Sequence, residues 1–294
     1  MIIKAYRSLS ENALKEVLKL EKICKENDHL KGSVFLDTAL NFNHDLKSIF
    51  LLYENSELIS MLSMFVPKQH EAEISAFTLP KCRGNGYFTA LLSKAMEELS
   101  KFHVPDILFV CESQSNAGKQ AIEVLNAKYE YTEYSMRFNK DGYVHRDGYR
   151  LVLITPDLQD LDKIIDISIR TFDDSYEDSK SWVVKCFESQ TREQFLAVLN
   201  EEIIGMGSIN MDGDVMSICG LGIVPEYRNQ GYGKELLHLI VDNLWQKGKT
   251  KIAIDVNSAN ANALGLYLKF GFQIEVAYEY YRKKVDDVMK LKKY

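Results

Sequence analysis

One order of predicted elements occurs twice along the chain, and a constant offset of 145 positions separates the two copies. Three residues of a glycine-containing loop recur at this offset: Pro80 and Pro225, Arg83 and Arg228, and Gly86 and Gly231. The runs DILFV at residues 106–110 and KIAID at residues 251–255 keep the same offset. Solenoid repeats have periods of about 20–50 residues. The sequence therefore predicts a duplicated domain of about half the chain.

Within each half, apolar and β-branched runs predict strands, and apolar residues at helical spacing predict helices. In the second half the predicted strands are residues 149–156, 194–200, 202–210, 215–224, 251–256 and 272–283, and the predicted helices are residues 158–171, 179–189, a stretch around 236–244, and 260–270. In the first half the predicted segments are a strand at 1–7, a helix at 11–26, a hairpin at 48–66, a strand at 71–80, a loop and helix after it, and strands at 106–110 and 130–138.

These segments define the predicted domain boundaries. We expect an N-terminal domain at residues 1–140, a C-terminal domain at residues 148–284, and a charged tail at residues 285–294. The linker lies near NKDGYVHRDG, residues 139–148, because glycine, aspartate and charge are concentrated there.

The composition indicates a globular protein, with 46% hydrophobic and 27% charged residues. The net charge of −6 gives no indication of a nucleic-acid partner. The N-terminus has no apolar segment of signal-peptide length, and no run approaches the ~18 apolar residues of a membrane span. We therefore expect a cytoplasmic protein with no membrane contact.

The cysteines are scattered and odd in number, without a CxxC pair: Cys24, Cys82, Cys111, Cys186 and Cys219. This pattern favours reduced thiols over a disulfide framework or a zinc site, so we expect no metal.

The loop PEYRNQGYGKELL, residues 225–237, lies between a predicted strand and a predicted helix. A helix N-terminus has unpaired backbone N–H groups and a partial positive charge, which suit a phosphate. Gly231 and Gly233 allow close approach of a ligand, and Arg228 adds a charge. Both common nucleotide motifs fail, because Glu235 follows Lys234 where a Walker A loop needs Ser or Thr, and Leu236 replaces the third glycine of a dinucleotide fingerprint. From the loop alone, a simple strand–helix turn stays open.

A second motif follows the loop, and together they resemble the GNAT superfamily of acetyl-CoA-dependent N-acetyltransferases. The family loop Arg/Gln-x-x-Gly-x-Gly/Ala is matched by Arg228, Gly231 and Gly233. The signature Asn-x-x-Ala-x-x-Leu-Tyr, with Gly-Phe just beyond, is matched by Asn260, Ala263, Leu266, Tyr267, Gly271 and Phe272. The resemblance covers about residues 149–283 and, more weakly, residues 1–138. It implies an α/β (α+β) fold of two tandem GNAT-like domains, each a mixed, mostly antiparallel sheet flanked by helices.

The resemblance also implies the site residues for acetyl-CoA. The pyrophosphate would be held by loop amides of Arg228, Asn229, Gln230, Gly231, Tyr232, Gly233 and Lys234. Backbone groups of Leu221, Gly222 and Ile223 would pair with the pantetheine arm, and the Ile223 amide would donate to the thioester oxygen. Asn260 would contact the pantetheine. Tyr267 would protonate the departing thiolate, unless it is a core aromatic.

The sequence suggests no general base. An alkyl amine of pKa ~10.4 is mostly protonated at pH 7, so a proton acceptor is needed. The strand before the loop has Ser217 and Cys219, which alternation places on the face of Leu221, but no carboxylate. Glu226 is expected to face solvent, and Cys219 is expected to be a small core residue and not a nucleophile.

The first half resembles a degenerate copy. Its loop keeps Arg83 and Gly86, but Phe88 replaces the last glycine. In the second motif, Ser115 stands at the position of Asn260, and Ile122 at that of Tyr267. We expect this domain to be structural, although its loop leaves CoA binding open.

The acceptor is expected to be a primary amine, with a small molecule as the leading choice. The sequence does not choose among a small amine, an aminoglycoside-like molecule, an amino acid and a peptide N-terminus. The segment at residues 170–182 would line its site, with acidic residues that attract a cation or simply favour a helix start: Asp173, Asp174, Glu177 and Asp178. Tyr280 and Tyr281 would wall the pocket, or strand alternation would place one in the core and leave the other exposed. A non-catalytic acyl-CoA sensor and a protein or peptide acetyltransferase are the alternatives, and both a monomer and a homodimer fit the sequence.

Overall fold

The computed structural model describes residues 1–140, 143, 145 and 148–290. It divides into two compact units. The N-terminal unit comprises Met1–Thr132 and Val276–Tyr294, and the C-terminal unit comprises Glu133–Glu275. Each unit has a mostly antiparallel sheet with one parallel pair and flanking helices, which confirms the predicted fold class.

Every predicted strand and helix is present, and one helix in the first half was not predicted. In the first half the elements are β1 (Ile2–Tyr6), α1 (Glu11–Asp28), β2 (Ile49–Glu54), β3 (Glu57–Lys68), β4 (Glu71–Thr78), α2 (Tyr87–Lys101), β5 (Asp106–Glu112), α3 (Asn116–Val124) and β6 (Lys128–Phe138). In the second half they are β7 (Val152–Ile154), α4 (Leu161–Phe172), α5 (Tyr176–Glu188), β8 (Arg192–Leu199), β9 (Glu202–Asn210), β10 (Met216–Ile223), α6 (Tyr232–Gln246), β11 (Ile252–Asn257), α7 (Ala261–Phe270), β12 (Phe272–Lys284) and α8 (Val285–Lys290). The unexpected helix is α3.

The last strand of each half contributes to both units. In the N-terminal unit, β12 pairs antiparallel with β5 from Tyr278 to Lys284. In the C-terminal unit, β6 pairs antiparallel with β11 from Glu133 to Arg137. Each sheet is thus completed by a strand from the other half of the sequence, so the compact units differ from the linear segments 1–140 and 148–284. The linear segments stay a prediction about the duplicated unit of sequence.

Two predicted segments lie partly outside the described residues. Of the linker at 139–148, residues 141, 142, 144, 146 and 147 are outside. Of the tail at 285–294, residues 291–294 are outside. The described part of the tail is α8, and its Val285 and Val288 are buried in the core of the N-terminal unit.

Helices cover both faces of the sheet in the C-terminal unit. Gly207 of β9 lies against Ile240 of α6, so this face is covered by α6. Gly222 of β10 lies against Thr171 and Phe172 at the end of α4, so the opposite face is covered by α4. The two faces will be called the α6 face and the α4 face.

The parallel strands at the centre of the C-terminal unit separate after a short contact. β10 pairs with β11 only from Met216 to Ile218. From Cys219 onward, the β11-facing edge of β10 pairs with no strand that the structure describes. An extra residue at Gly220, which has a φ of 58°, makes a bulge against β9 at the same point. The bulge and the separation open a split between the two strands.

Candidate active site

The open edge of β10 presents a backbone donor to the split. The amide of Val224 donates to the Ile204 oxygen of β9 at 2.9 Å. Because backbone groups alternate between the two edges of a strand, the amide of Ile223 points to the open edge. The Ile223 oxygen accepts from Nε of Arg228 at 2.8 Å. The amide of Ile223 therefore has the orientation that the predicted contact with the thioester oxygen needs.

The glycine loop has unpaired amides at the start of α6. In the described part of the chain, the N–H groups of residues 229–233 donate to no acceptor. Asn229 and Gly231 have φ values of 62° and 89°, a conformation that glycine adopts without strain. The amides of Arg228 and Lys234 bond instead to the Pro225 and Gly231 oxygens. Five amides, from Asn229 to Gly233, are therefore available to an anion, and the predicted anion site from Arg228 to Lys234 stays a prediction.

The side chain of Arg228 holds the loop in place. Its Nε donates to Ile223, and its Nη2 donates to the Thr171 oxygen at the end of α4, both at 2.8 Å. A second arginine, which the motif did not indicate, lies beside the loop. Arg150 donates to the Gln230 oxygen at 3.2 Å, pairs with Glu235 at 3.0 Å and lies over the Tyr232 ring. Arg150 thus adds a partly exposed cation next to the unpaired amides.

Gly233 leaves open space where the first domain has a side chain. A Cβ at Gly233 would meet only Leu266 and Ile223, at 3.8 and 3.9 Å, which are ordinary contact distances. The chain itself therefore does not require glycine here. In the N-terminal unit the corresponding Phe88 packs against the core. The backbone at Gly233 is therefore open to the close approach of a ligand.

Asn260 caps a helix. Its Oδ1 accepts from the Ala263 amide at 3.1 Å, at the start of α7. Ser115, at the corresponding position of the first half, caps α3 in the same way through the Gly118 amide. This shared role explains why a short polar residue stands at both positions. The side-chain nitrogen of Asn260 is not used by the cap.

Tyr267 is buried on α7, with 5% of its surface exposed. In the part of the chain that the structure describes, its hydroxyl makes no hydrogen bond. Burial raises the pKa of Tyr267 to about 12. The phenol is therefore protonated throughout the physiological pH range, which suits a proton donor.

Asp255 is a candidate base that the sequence interpretation missed. It lies on β11 just beyond Ile254, the last residue of β11 that pairs with β10. Burial raises the pKa of the Cys219 thiol on β10, and the charge of Asp255 adds to this rise, so the two side chains lie near each other. Asp255 is exposed at the surface, but the protein packed around it lowers the hydration of its carboxylate and raises its pKa. In the sequence, the signal for Asp255 was a carboxylate within an otherwise apolar strand.

The bulge at Gly220 corrects one expectation about the faces of β10. Alternation along the sequence places Cys219 and Leu221 on one face. In the structure Cys219 lies opposite Ser208, with Sγ and Oγ 3.3 Å apart, whereas Leu221 lies against Gly207 on the α6 face. Cys219 is therefore on the α4 face, and the extra residue is the cause. Desolvation raises the pKa of the Cys219 thiol, which agrees with a role other than nucleophile.

Acid and base candidates belong to opposite sides of the split. Asp255 shares a face with Ala253, whose direct partner Ser217 is on the same face as Cys219, the α4 face. Tyr267 lies on α7, whose Leu266 lies near Gly233 at the start of α6. A group held between β10 and β11 would thus have a carboxylate on one side and a phenol on the other.

The end of α4 fits against β10 without spare room. A Cβ at Gly222 would lie 2.2 Å from Cγ2 of Thr171 and 3.0 Å from the Phe172 ring. Of the acidic residues that follow, Glu177 and Asp178 are in the first turn of α5, whereas Asp173 is the C-cap of α4. The helix-dipole interpretation therefore applies to Glu177 and Asp178, and attraction of a cationic acceptor stays a hypothesis.

Replacement of Gly222 by Ala is expected to lower the free energy of unfolding by about 1–3 kcal/mol, because Thr171 and Phe172 must move to admit the methyl group. Chemical denaturation measures the change. Gly265→Ala on α7 is the matched control, because a Cβ there meets nothing within 4 Å. Equal stability of Gly222→Ala and the wild type would contradict the close fit of α4 on β10.

Tyr280 and Tyr281 do not belong to this site. Both are in the part of β12 that pairs with β5 in the N-terminal unit. Tyr280 stacks on Tyr131 with ring centroids 4.4 Å apart, and Tyr281 meets Tyr129 edge to face. The expectation that they wall the acceptor pocket of the second domain is wrong, because the last strand changes units.

The N-terminal unit has the same split without the same chemistry. Its parallel strands β4 and β5 pair only from Glu71 to Ile74 on β4. The arginine of its loop, Arg83, is neutralised by Asp28 through two hydrogen bonds. At the offset of 145, Val110 stands for Asp255, and Ile122 stands for Tyr267. The N-terminal unit therefore has no counterpart of the candidate acid, Tyr267, or of the candidate base, Asp255, at these positions.

Comparison with known proteins identifies the family to which this fold belongs. The model of the Acetyltransferase (GNAT) family matches residues 14–127 and 161–272, more than half of the chain. The chain belongs to this family, and both of its halves match. The recognised resemblance and its tandem arrangement are confirmed.

The individual relatives and solved structures share low sequence identity with this chain. The chain is 28% identical over 94 residues to the [Ribosomal protein bS18]-alanine N-acetyltransferase of Escherichia coli (strain K12), which covers 31% of this chain and 64% of that protein. A GCN5-related N-acetyltransferase structure from Sphaerobacter thermophilus aligns over 97% of this chain and 95% of its own, with a TM-score of 0.77 and 16% identity. A tandem GNAT protein from the clavulanic acid biosynthesis pathway covers 97% and 99%, with a TM-score of 0.68 and 13% identity. At these identities the structures share the fold.

Within the described residues, no helix combines the length and apolar character needed to cross a membrane. The same residues contain no group of three or more His, Cys, Asp and Glu side chains that is arranged to hold a metal ion.

Proposed function

We propose that this protein transfers the acetyl group of acetyl-CoA directly to a primary amine, and that the reaction takes place in the C-terminal unit. One observation supports the proposal most: Asp255, a carboxylate of raised pKa, lies on β11 beside the split, and Tyr267, a buried phenol, lies on the helix that follows β11. The open edge of β10 and the unpaired loop amides adjoin the same split.

The residues present fit acetyl-CoA. The amides of residues 229–233, with Arg150 nearby, would bind the pyrophosphate at the positive end of α6. The open edge at Leu221, Gly222 and Ile223 would pair with the pantetheine amides. Asn260, through the side-chain nitrogen that its cap leaves unused, would bind the same arm.

Acetyl-CoA supplies an acetyl group activated as a thioester. Asp255 accepts a proton from the incoming ammonium, directly or through water, and so exposes the nitrogen lone pair. The amide of Ile223 stabilises negative charge on the carbonyl oxygen as nitrogen adds to the carbon. Tyr267 donates its proton to sulfur as the carbon–sulfur bond breaks, and the tyrosinate regains a proton, directly or through water, from the nitrogen, which loses its second proton as the amide forms. The products are an amide and CoA.

The N-terminal unit is proposed to be structural. Val110 and Ile122 replace the base and the acid, and Phe88 fills the space of Gly233. Asp28 neutralises Arg83 beside its loop. The alternative is that the loop amides of the N-terminal unit bind CoA weakly. The protein would then be a sensor with two sites.

The acceptor is proposed to be a small amine. The Escherichia coli relative named above is a [Ribosomal protein bS18]-alanine N-acetyltransferase, so a protein or peptide acceptor is the second candidate. We would measure CoA release from acetyl-CoA with an amino sugar, a diamine, an α-amino acid and a peptide that begins with alanine. Transfer to any of them supports the activity, and the preferred amine gives the class. Acetyl-CoA binding without transfer to any amine would favour the sensor.

Replacement of Tyr267 by Phe is expected to lower kcat by about 10- to 100-fold, near the low end of the range for acid catalysis, because a thiolate is a good leaving group. Because the pKa of Tyr267 is about 12, the wild type should keep this proton donor up to about pH 11. Steady-state kinetics measures kcat and its dependence on pH, and calorimetry measures the binding of acetyl-CoA. Wild-type kcat in this variant would remove Tyr267 from the reaction.

A further inference from the structure

The strand beside the candidate base comes from the first half of the sequence. Residues 133–137 of β6 pair with β11, and in this register Ser135 is the direct partner of Asp255. Side chains of directly opposed residues in an antiparallel pair share a face, with Cβ atoms about 4.5–5.5 Å apart. The two side chains therefore lie next to each other, and the Ser135 hydroxyl lowers the pKa of Asp255 against the larger, opposite effect of desolvation.

We propose that Ser135 is a positioning residue of the acetyl-transfer site, whose hydroxyl holds the Asp255 carboxylate toward the split between β10 and β11. This inference rests on the proposed function, because it concerns the same reaction. It means that the active site of the second half of the chain is incomplete without a residue from the first half.

The N-terminal unit provides an internal comparison. At the same place in its sheet, β12 pairs with β5, and Tyr280 is the direct partner of Val110. These are the residues at the offset of 145 from Ser135 and Asp255. The strand pairing is therefore formed without a hydroxyl and a carboxylate. The fold does not require this polar pair, and its presence in the unit that also has Tyr267 indicates a chemical role.

Other charged and titratable groups face Asp255 or lie near it. On β6, Arg137 lowers the pKa of Asp255 through its charge and also pairs with Glu275 at 2.9 Å. Glu133 lies two residues before Ser135 on the same face of β6. On β10, Cys219 is the nearby titratable group. A change confined to Ser135 leaves all of these in place.

The first test is a ¹³C NMR titration of the aspartate carboxyl groups in the full chain, with Asp255 assigned through Asp255→Asn. A hydrogen bond to a carboxylate favours its charged form. Ser135→Ala is therefore expected to raise the pKa of Asp255, and Ser135→Thr, which keeps a hydroxyl, is expected to restore it. Thr132→Ala is the control on the same strand, since the Thr132 hydroxyl meets Tyr129. An unchanged titration of Asp255 in Ser135→Ala would overturn the inference.

The second test is kcat against pH, with the amine that the acceptor panel identifies. Ser135→Ala is expected to shift the acidic limb to higher pH and to lower kcat by about 3- to 10-fold, the effect of one hydrogen bond. It is expected to have no further effect in the Asp255→Asn background. A loss of activity in Asp255→Asn, with Ser135→Ala like the wild type, would overturn this inference alone. Full activity in Asp255→Asn would overturn the base assignment and the inference together.

Discussion

Replacement of Asp255 by Asn is expected to lower kcat by about 10²–10³-fold, within the range for general base catalysis. The amide keeps the shape of the side chain but accepts no proton at neutral pH. An amine of pKa ~10.4 then has to lose its proton to water before it attacks. Because the protein packed around Asp255 raises its pKa, the acidic limb of the wild-type profile should lie above the ordinary range of an aspartate. Activity falls as pH decreases through this limb, and the variant should lack it.

The affinity for acetyl-CoA separates catalysis from binding in this experiment. The proposed contacts with acetyl-CoA are backbone groups of β10 and the loop, so Asp255→Asn should leave its dissociation constant unchanged. Asp214→Asn is the matched control, because Asp214 lies in the turn before β10 with 92% of its side chain exposed. Equal losses in both variants would point to a general effect on β10 and β11. A wild-type kcat in Asp255→Asn would show that another group accepts the proton.

Replacement of Gly233 by Phe, the residue of the first domain, is expected to weaken acetyl-CoA binding by at least about 100-fold. Hydrogen bonds to charged groups contribute ~1.5–3 kcal/mol each, and loss of two at the loop gives this factor. The N-terminal unit contains Phe88 at the corresponding place, so the fold accommodates this side chain. Calorimetry should find one site per chain in the wild type and none in the variant.

Gly233→Ala is the graded control for this experiment. The chain has room for its Cβ, and alanine favours a helix over glycine by ~0.5–1 kcal/mol. The variant should therefore be at least as stable as the wild type, and any loss of affinity reports contact with the ligand. A second site that survives in Gly233→Phe would place acetyl-CoA in the N-terminal unit and support the sensor alternative. Undiminished binding at a single site would argue against the loop as the anion site.

Local sequence patterns predicted most elements, because strand alternation and helical spacing are properties of neighbouring residues. The exchange of last strands could not be predicted in this way. The segment at residues 272–283 reads as a strand in either unit, and only its partner, β5, decides where Tyr280 and Tyr281 lie. The short helix α3 was missed because the first half of the chain lacks the second motif. Ser115 is nevertheless a good N-cap for this helix.

The sequence predicted the parts of the candidate site that belong to a short motif and missed the parts that depend on strand pairing. The loop and Tyr267 stand within short signatures. Asp255 becomes a candidate only when β11 separates from β10 beside it, and Ser135 only when β6 pairs with β11. The bulge at Gly220 similarly reverses the faces expected for β10, because one inserted residue shifts the alternation.

The exchanged strands also bear on how the chain is completed during synthesis. All residues of the C-terminal unit precede residue 276, so its sheet can form once β12 has begun to emerge from the ribosome. The sheet of the N-terminal unit has to wait, because β5 pairs with Tyr278–Lys284, more than 160 residues later. Contacts of such long sequence separation form slowly. Although it is translated first, the N-terminal unit should therefore be the last to mature, with the edge of β5 exposed to chaperones or to mispairing until then.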